Sequence, residues 1–174
     1  MKPGRCDSAG GSSNTKRIRR HIMQERMGNP ALVLPAAMQA LAALSKVPAE
    51  TGLSPKLLEL VNLRASQING CSVCVDGHPR IAKKLGETDE RLFAIGAWRD
   101  SPYFSDAERA ALALTEAVTR VSDRADPVPD DIWDEATRHY DGRSLAALVI
   151  AIANINVWNR LNIATRQIAG AWKP

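Results

Sequence analysis

From residue 30 onward, apolar positions recur at three- and four-residue intervals, and no stretch alternates with period two long enough to make a strand. The pattern predicts an all-α fold, a helical bundle. Asn29-Pro30 reads as a cap followed by a first-turn proline, opening a mostly apolar helix through "ALVLPAAMQALAALSKV", with Pro35 disturbing its first turn. Ser54-Pro55 repeats that signal, and the helix it opens places Leu57, Val61, Ala65 and Ile68 on one stripe. The next segment runs as helix to about Leu85, with Gly86 as its stop and Pro79 as a kink or interruption. Thr88 opens a short helix to about Trp98, and Ser105 with Glu108 forms a capping box for a helix over roughly 106–122. "DRADPVPDD" is a loop broken by Pro127 and Pro129. Helices over about 130–139 and 144–168 follow, separated by a turn at Asp141-Gly142. The last is apolar around its whole circumference at 145–153, which predicts burial on every side. Its later Asn154, Asn156, Asn159, Arg160 and Asn162 are expected to lock helices or subunits together, since buried polar groups need partners.

Residues 1–22 break the pattern. They are rich in Gly, Ser and Arg, show no apolar period, and are expected to form a disordered tail ahead of one helical domain over 23–174. Met23 and Met27 are alternative starts. The tail also explains the charge. Residues 1–20 carry six basic residues against Asp7 alone, a surplus of +5, so the chain's +4 leaves −1 for the rest. The body therefore lacks the basic stripe of a nucleic-acid binder. The longest apolar run, "LAALVIAIA", has nine residues, short of a membrane span. Three cysteines, only two of them close in sequence, do not make a secreted disulfide framework. No secretory signal is apparent, and the expectation is a cytoplasmic protein bound to neither membrane nor nucleic acid. Cys6 reads as a free thiol in the tail.

The chemistry concentrates in "NGCSVCVDGHPR", residues 69–80. Covalent haem attachment needs Cys-x-x-Cys-His, and Val75 follows the second cysteine instead. Structural zinc takes four ligands; Cys71, Cys74 and His78 supply three, while His139 is distant in sequence and His21 lies in the tail. Two packed thiols are a further reading, against which stand the polar neighbours Asn69, Gly70, Ser72, Asp76 and His78. A redox dithiol fits best. Positions three apart on a regular helix hold their Cβ atoms about 5–6 Å apart, whereas a disulfide wants about 3.8 Å. The pair closes only if one member leaves helical geometry, and Asn69-Gly70 supplies the break that puts Cys71 at a helix start. The helix N-terminus favours Cys71 as the attacking thiolate, and His78, one turn beyond Cys74, favours Cys74. Local physics leaves that choice open.

The stretch from "LLELVNLRASQINGCSVCVDGHPR" to "AERAALALTEAVT" resembles the carboxymuconolactone decarboxylase superfamily in its alkyl hydroperoxidase D-like branch. Glu59, Cys71, Cys74 and His78 match its signature of Glu, twelve residues to Cys, then x-x-Cys and x-x-x-His, with "NVWNRLNIATR" as later support. The resemblance covers about residues 27–170. It implies an all-helical trimer or hexamer without metal or cofactor, acting in antioxidant defence. It implies that Cys74 attacks a hydroperoxide, that Cys71 closes the disulfide, and that Glu59 and His78 relay protons. A reduced dithiol protein, lipoyl-bearing or thioredoxin-like, would regenerate the enzyme. Helical spacing alone puts Glu59 on a polar stripe with Asn62 and Ser66, the place of a solvated residue. One departure stands out: better-known members carry histidine where this chain has Val73, which points toward a slower peroxidase or a general disulfide oxidoreductase. A carboxymuconolactone decarboxylase-like lyase is the remaining alternative, although the decarboxylase branch lacks the cysteine pair.

Overall fold

The computed structural model describes residues 24–174. The expectations for the tail over 1–22, for Cys6 and for His21 lie outside the described residues. Within them every regular element is helical: α1 (Pro30–Val33), α2 (Pro35–Lys46), α3 (Pro55–Asn69), α4 (Ser72–Lys84), α5 (Asp89–Ala94), α6 (Asp106–Thr119), α7 (Asp130–His139) and α8 (Gly142–Thr165), with 3-10 turns at Val47–Thr51 and Ile95–Ala97.

Capping chemistry sets most of these boundaries. Asn29 accepts from the Ala31 amide, Thr88 from Arg91, and Ser105 with Glu108 completes both halves of a capping box. Asp141 caps α8 by accepting from the Ser144 amide, so that helix begins at Gly142, ahead of the expected position. Pro35 does more than disturb a first turn. It forces Leu34 into extended backbone, φ −112° and ψ 92°, and divides one expected helix into α1 and α2. Pro79, by contrast, sits inside α4 without ending it, although its missing N–H removes one rung of the ladder.

Helix α3 is the hub, packed against α4, α6 and α8. Leu57 and Val61 meet Leu114, Leu148 and Ile152 on one side. Leu60 and Leu63 meet Ile95, Trp98 and Leu112 on the other. Each such side chain, once buried, contributes about 1.5–3 kcal/mol. The third side of α3, carrying Glu59, Asn62 and Ser66, turns toward α4 and α8. Helix α8 is buried along Leu148, Ile152 and Ile155 but leaves Ala146 and Ala153 exposed, so burial is one-sided rather than complete. With 24 residues and a hydropathy of 1.3 it has the length and composition of a membrane span, yet half of that stretch is buried inside the bundle, and this packing accounts for its apolar character.

The asparagines of α8 lock helices, as expected. Asn69 at the end of α3 donates to Asn156 (2.9 Å) and Asn159 (2.8 Å), Asn159 donates to Ser66 (3.0 Å), and Asn154 donates to Ser45 (2.7 Å).

Glu116 of α6 is a second polar lock. Its carboxylate accepts from Trp98 Nε1 (2.9 Å), Arg64 Nε (2.8 Å) and Arg99 Nη1 (2.8 Å). Burial alone would raise its pKa, but hydrogen bonds from Trp98, Arg99 and Arg64 outweigh burial and hold it at about 2. A carboxyl depressed on folding stabilises fully above its unfolded value and loses that contribution as pH falls toward the folded one. Glu116→Gln is therefore expected to lose about 2 kcal/mol at neutral pH and to flatten the acid limb of the stability curve. Denaturant melts of both proteins from about pH 7 to about pH 3 check this.

Candidate active site

The turn between α3 and α4 builds the site. Gly70 ends α3 in left-handed backbone, φ 74°, where a side chain would be strained. The Cys71 amide then reaches back to the Ser66 carbonyl at 3.0 Å, the longer bond of a Schellman cap. Cys71 itself is extended, φ −78° and ψ 97°, and is the N-cap of α4. One cysteine thus stands outside the helix and the other, Cys74, in its first turn. Their Cα atoms are 5.4 Å apart and the sulfurs are joined in a disulfide. Both are sheltered, Cys71 being 1% exposed and Cys74 2%.

The next turn of α4 brings His78 to the same place. Its Nδ1 lies 2.8 Å from Glu59 Oε2, which crosses from α3. A carboxylate only accepts, so Nδ1 carries the proton in this pair and Nε2 is left to take or give one. Asn62 Nδ2 donates to the other Glu59 oxygen at 3.4 Å. Glu59 is thus a largely enclosed partner of His78, 14% exposed in its side chain, and the expectation of a solvated position is corrected. The polar stripe of α3 faces a site, which helical spacing alone could not distinguish from facing water.

Residues of α1, α2, α3, α4, α8 and the C-terminal segment enclose a cavity of about 770 Å³. Its walls are mainly apolar, with Met38, Val73, Ile81, Ile155, Trp158 and Trp172 among them. Glu59, Cys74 and His78 open onto it; Cys71 is not among its lining residues. Among the described residues, Lys46 is the one Lys or Arg on its wall. The size is that of a small-molecule site. No cluster of three or more metal-ligating side chains occurs among the described residues.

Two features escaped sequence reasoning. Asn162, grouped with the helix-locking asparagines, instead donates from Nδ2 to Cys74 Sγ at 3.3 Å. The segment after α8 returns over the site: Trp172 stands edge-on to His78, ring centroids 5.5 Å apart, and Lys84 donates to the Pro174 carbonyl. The Trp172 ring is seated over Gly77, where an added Cβ would fall 2.1 Å from ring carbons. Gly77, between the signature residues, carried the available signal: a helix-interior glycine marks a close approach.

The sequence profile of the carboxymuconolactone decarboxylase family matches residues 35–117. The uncharacterized protein YdfG of Bacillus subtilis is 35% identical over 132 residues, which is 76% of this chain and 88% of that protein. Among solved structures, a protein of unknown function from Agrobacterium tumefaciens, ATU0492, described as a candidate antioxidant defence protein AhpD, superposes with a TM-score of 0.78 at 32% identity. The match covers 86% of this chain and all (100%) of the other. The debrominase Bmp8, solved with 2,3,4-tribromopyrrole, shares the fold with a TM-score of 0.71 at 22% identity, covering 79% of this chain and 73% of its own.

Gly77→Ala is expected to dislodge Trp172 while leaving the bundle intact. Hydrogen exchange should quicken over residues 167–174 by about tenfold or more, with core amides of α3 and α8 unchanged. Unaltered exchange in that segment would show that the ring is not seated there.

Proposed function

Since the chain belongs to the carboxymuconolactone decarboxylase family, we propose that it is a thiol-dependent hydroperoxide reductase of the alkyl hydroperoxidase D-like kind, acting in antioxidant defence. The observation that carries this reading is the placing of one sulfur, Cys74, on the wall of an apolar cavity, with its disulfide partner beside it and the Glu59–His78 pair on the same wall.

The electron count closes with these residues. In the reduced protein the Cys74 thiolate attacks the outer oxygen of R–O–O–H. The O–O bond breaks, an S–O bond forms, and the departing alkoxide takes a proton to leave as R–OH. His78 is the group placed to manage that proton, and Glu59 sets its tautomer. The Cys71 thiol then attacks the Cys74 sulfenic acid, releasing water and closing the disulfide before further oxidation. A second dithiol, by exchange, takes over the disulfide and returns both thiols.

The cavity bears on the substrate. Its apolar walls favour an organic hydroperoxide with a hydrocarbon body over hydrogen peroxide. A carboxylated lactone, the lyase alternative, would call for cationic partners, and among the described residues Lys46 is the one Lys or Arg that lines the wall. Burial bears on the reductant. Cysteines 2% exposed or less are more easily reached by a slender dithiol arm, as a lipoyl group is, than by the flat face of a folded thioredoxin-like partner. The same burial disfavours a general disulfide oxidoreductase acting on folded proteins. Assembly into a trimer or hexamer belongs to this reading, and the exposed Leu32, Val33 and Leu34 are consistent with it.

The test is peroxide consumption with cumene hydroperoxide and a dihydrolipoyl reductant. Cys74→Ser is expected to abolish turnover. Cys71→Ser is expected to permit one reaction only and to leave a sulfenic acid that dimedone traps. Glu59→Gln is expected to lower kcat/KM by about a hundredfold. Turnover indifferent to both cysteine changes would contradict the proposal, and a parallel assay with 2,3,4-tribromopyrrole would show whether the shared scaffold serves debromination instead.

A further inference from the structure

Positions 73 and 75, on either side of Cys74, are both valines, so no side chain next to Cys74 along the chain can donate a hydrogen bond to its sulfur. The donor comes from α8. The neighbouring asparagines of that helix bond to Ser45, Thr119, Ser66 and Asn69, but Asn162 Nδ2 reaches Cys74 Sγ at 3.3 Å. In the oxidised protein this sulfur belongs to a disulfide and accepts weakly. Reduction converts it to a thiol in equilibrium with thiolate, and toward a thiolate the same N–H becomes a charge-assisted donor.

An amide side chain can present either nitrogen or oxygen, and the wrong face would set a carbonyl lone pair against the thiolate. Here the choice is fixed from a distance. The Ala31 amide can only donate, so the group it meets at 2.8 Å must be Asn29 Oδ1. Asn29 therefore turns its Nδ2 toward Asn162 and donates to Asn162 Oδ1 at 2.7 Å. That leaves Asn162 Nδ2, and not its oxygen, facing the sulfur. The sequence of donors runs from a helix-capping contact at Asn29, which is 7% exposed, to the reacting atom.

We propose that Asn162 stabilises the Cys74 thiolate, and that Asn29 is a positioning residue that holds the Asn162 amide in its donating orientation. The proposal rests on the peroxidase reading for its catalytic meaning and deepens it; the thiolate itself can be measured without peroxide. Among the described residues, the titratable groups facing Cys74 are Cys71 at the N-cap, His78 on its own helix and Glu59 on α3, with Lys46 of α2 on the same cavity wall. The residues that α8 and the C-terminal segment bring to that cavity are uncharged.

Wild-type protein and the variants Asn162→Ala, Asn162→Asp and Asn29→Ala are reduced and treated with iodoacetamide across a pH series. Alkylation of Cys74 is followed by fragmentation of the tryptic peptide Ala65–Arg80, in which Cys71 is the internal reference. Asn162→Ala is expected to move the Cys74 midpoint up by about one pH unit, a tenfold loss of thiolate near neutrality. Asn162→Asp is expected to move it further, since a negative acceptor replaces a donor. Asn29→Ala is expected to move it the same way by less, because the freed amide samples both orientations. An Asn162→Ala protein of native helix content with an unmoved Cys74 midpoint overturns the proposal, as does a shift shared equally by Cys71. If Asn162→Ala does not fold, Asn29→Ala decides by the same criterion: a raised midpoint supports the proposal and an unmoved one overturns it. A moved midpoint in protein whose wild type consumes no peroxide would sink the peroxidase reading and leave the Asn162 assignment standing, so the two failures are distinguishable.

Discussion

The left-handed turn at Gly70 is the constraint from which the site follows. A regular helix through residues 69–74 would hold the two cysteines at a separation that a disulfide cannot span. Breaking the chain at Gly70 sends Cys71 into extended backbone, and the return bond from its amide to Ser66 fixes the angle at which α4 departs. Cys74 then falls in the first turn of a fresh helix, within bonding reach of Cys71. The joint is braced from outside by Asn69, whose amide grips Asn156 and Asn159 on α8. A left-handed turn that glycine adopts without strain is thus held in place by side-chain bonds to another helix.

Polarity inside the bundle is organised around that joint. Buried polar groups cost free energy unless they are paired, and here the pairs lie on two sides of the sulfur. Toward α3 lie His78, Glu59 and Asn62; toward α8 lies Asn162, backed by Asn29. Hydrocarbon walls close the remaining sides. A cavity of this kind weakens competition from water and leaves the few polar groups free to act on whatever enters. The segment after α8 adds a further wall, since Trp172 is joined to the bundle by its seat over Gly77, its edge contact with His78 and the nearby Lys84–Pro174 bond.

Much of this could be read from the sequence because local rules and tertiary packing agree. The helices begin where Asn29, Thr88 and Ser105 cap them, and the glycine before Cys71 announced a helix start. Pro35 has more effect than its position in the pattern shows: it falls on Leu34, and helix on either side conceals the break. The apolar circumference of α8 does not fix its burial, because apolar residues at every position do not reveal which side faces water or another chain. Glu59 looked solvated for a related reason. Its stripe is polar whether it faces bulk solvent or a buried site, and only the approach of α4 and α8 decides between them. Asn162 was placed with its neighbours because spacing along one helix cannot name a partner on another.

On the proposed reading, the two sulfurs form a bond with each other in response to a peroxide entering the cavity. Fully reduced protein, treated with one equivalent of cumene hydroperoxide and digested with trypsin under acid-quenched conditions, gives a direct reading by mass spectrometry. Peptide Ala65–Arg80 is expected to lose two hydrogens as the peroxide becomes its alcohol, and dithiothreitol to restore them. A peptide left unchanged beside intact peroxide, or one carrying an irreversible sulfinic acid on Cys74 without any bond to Cys71, would contradict it.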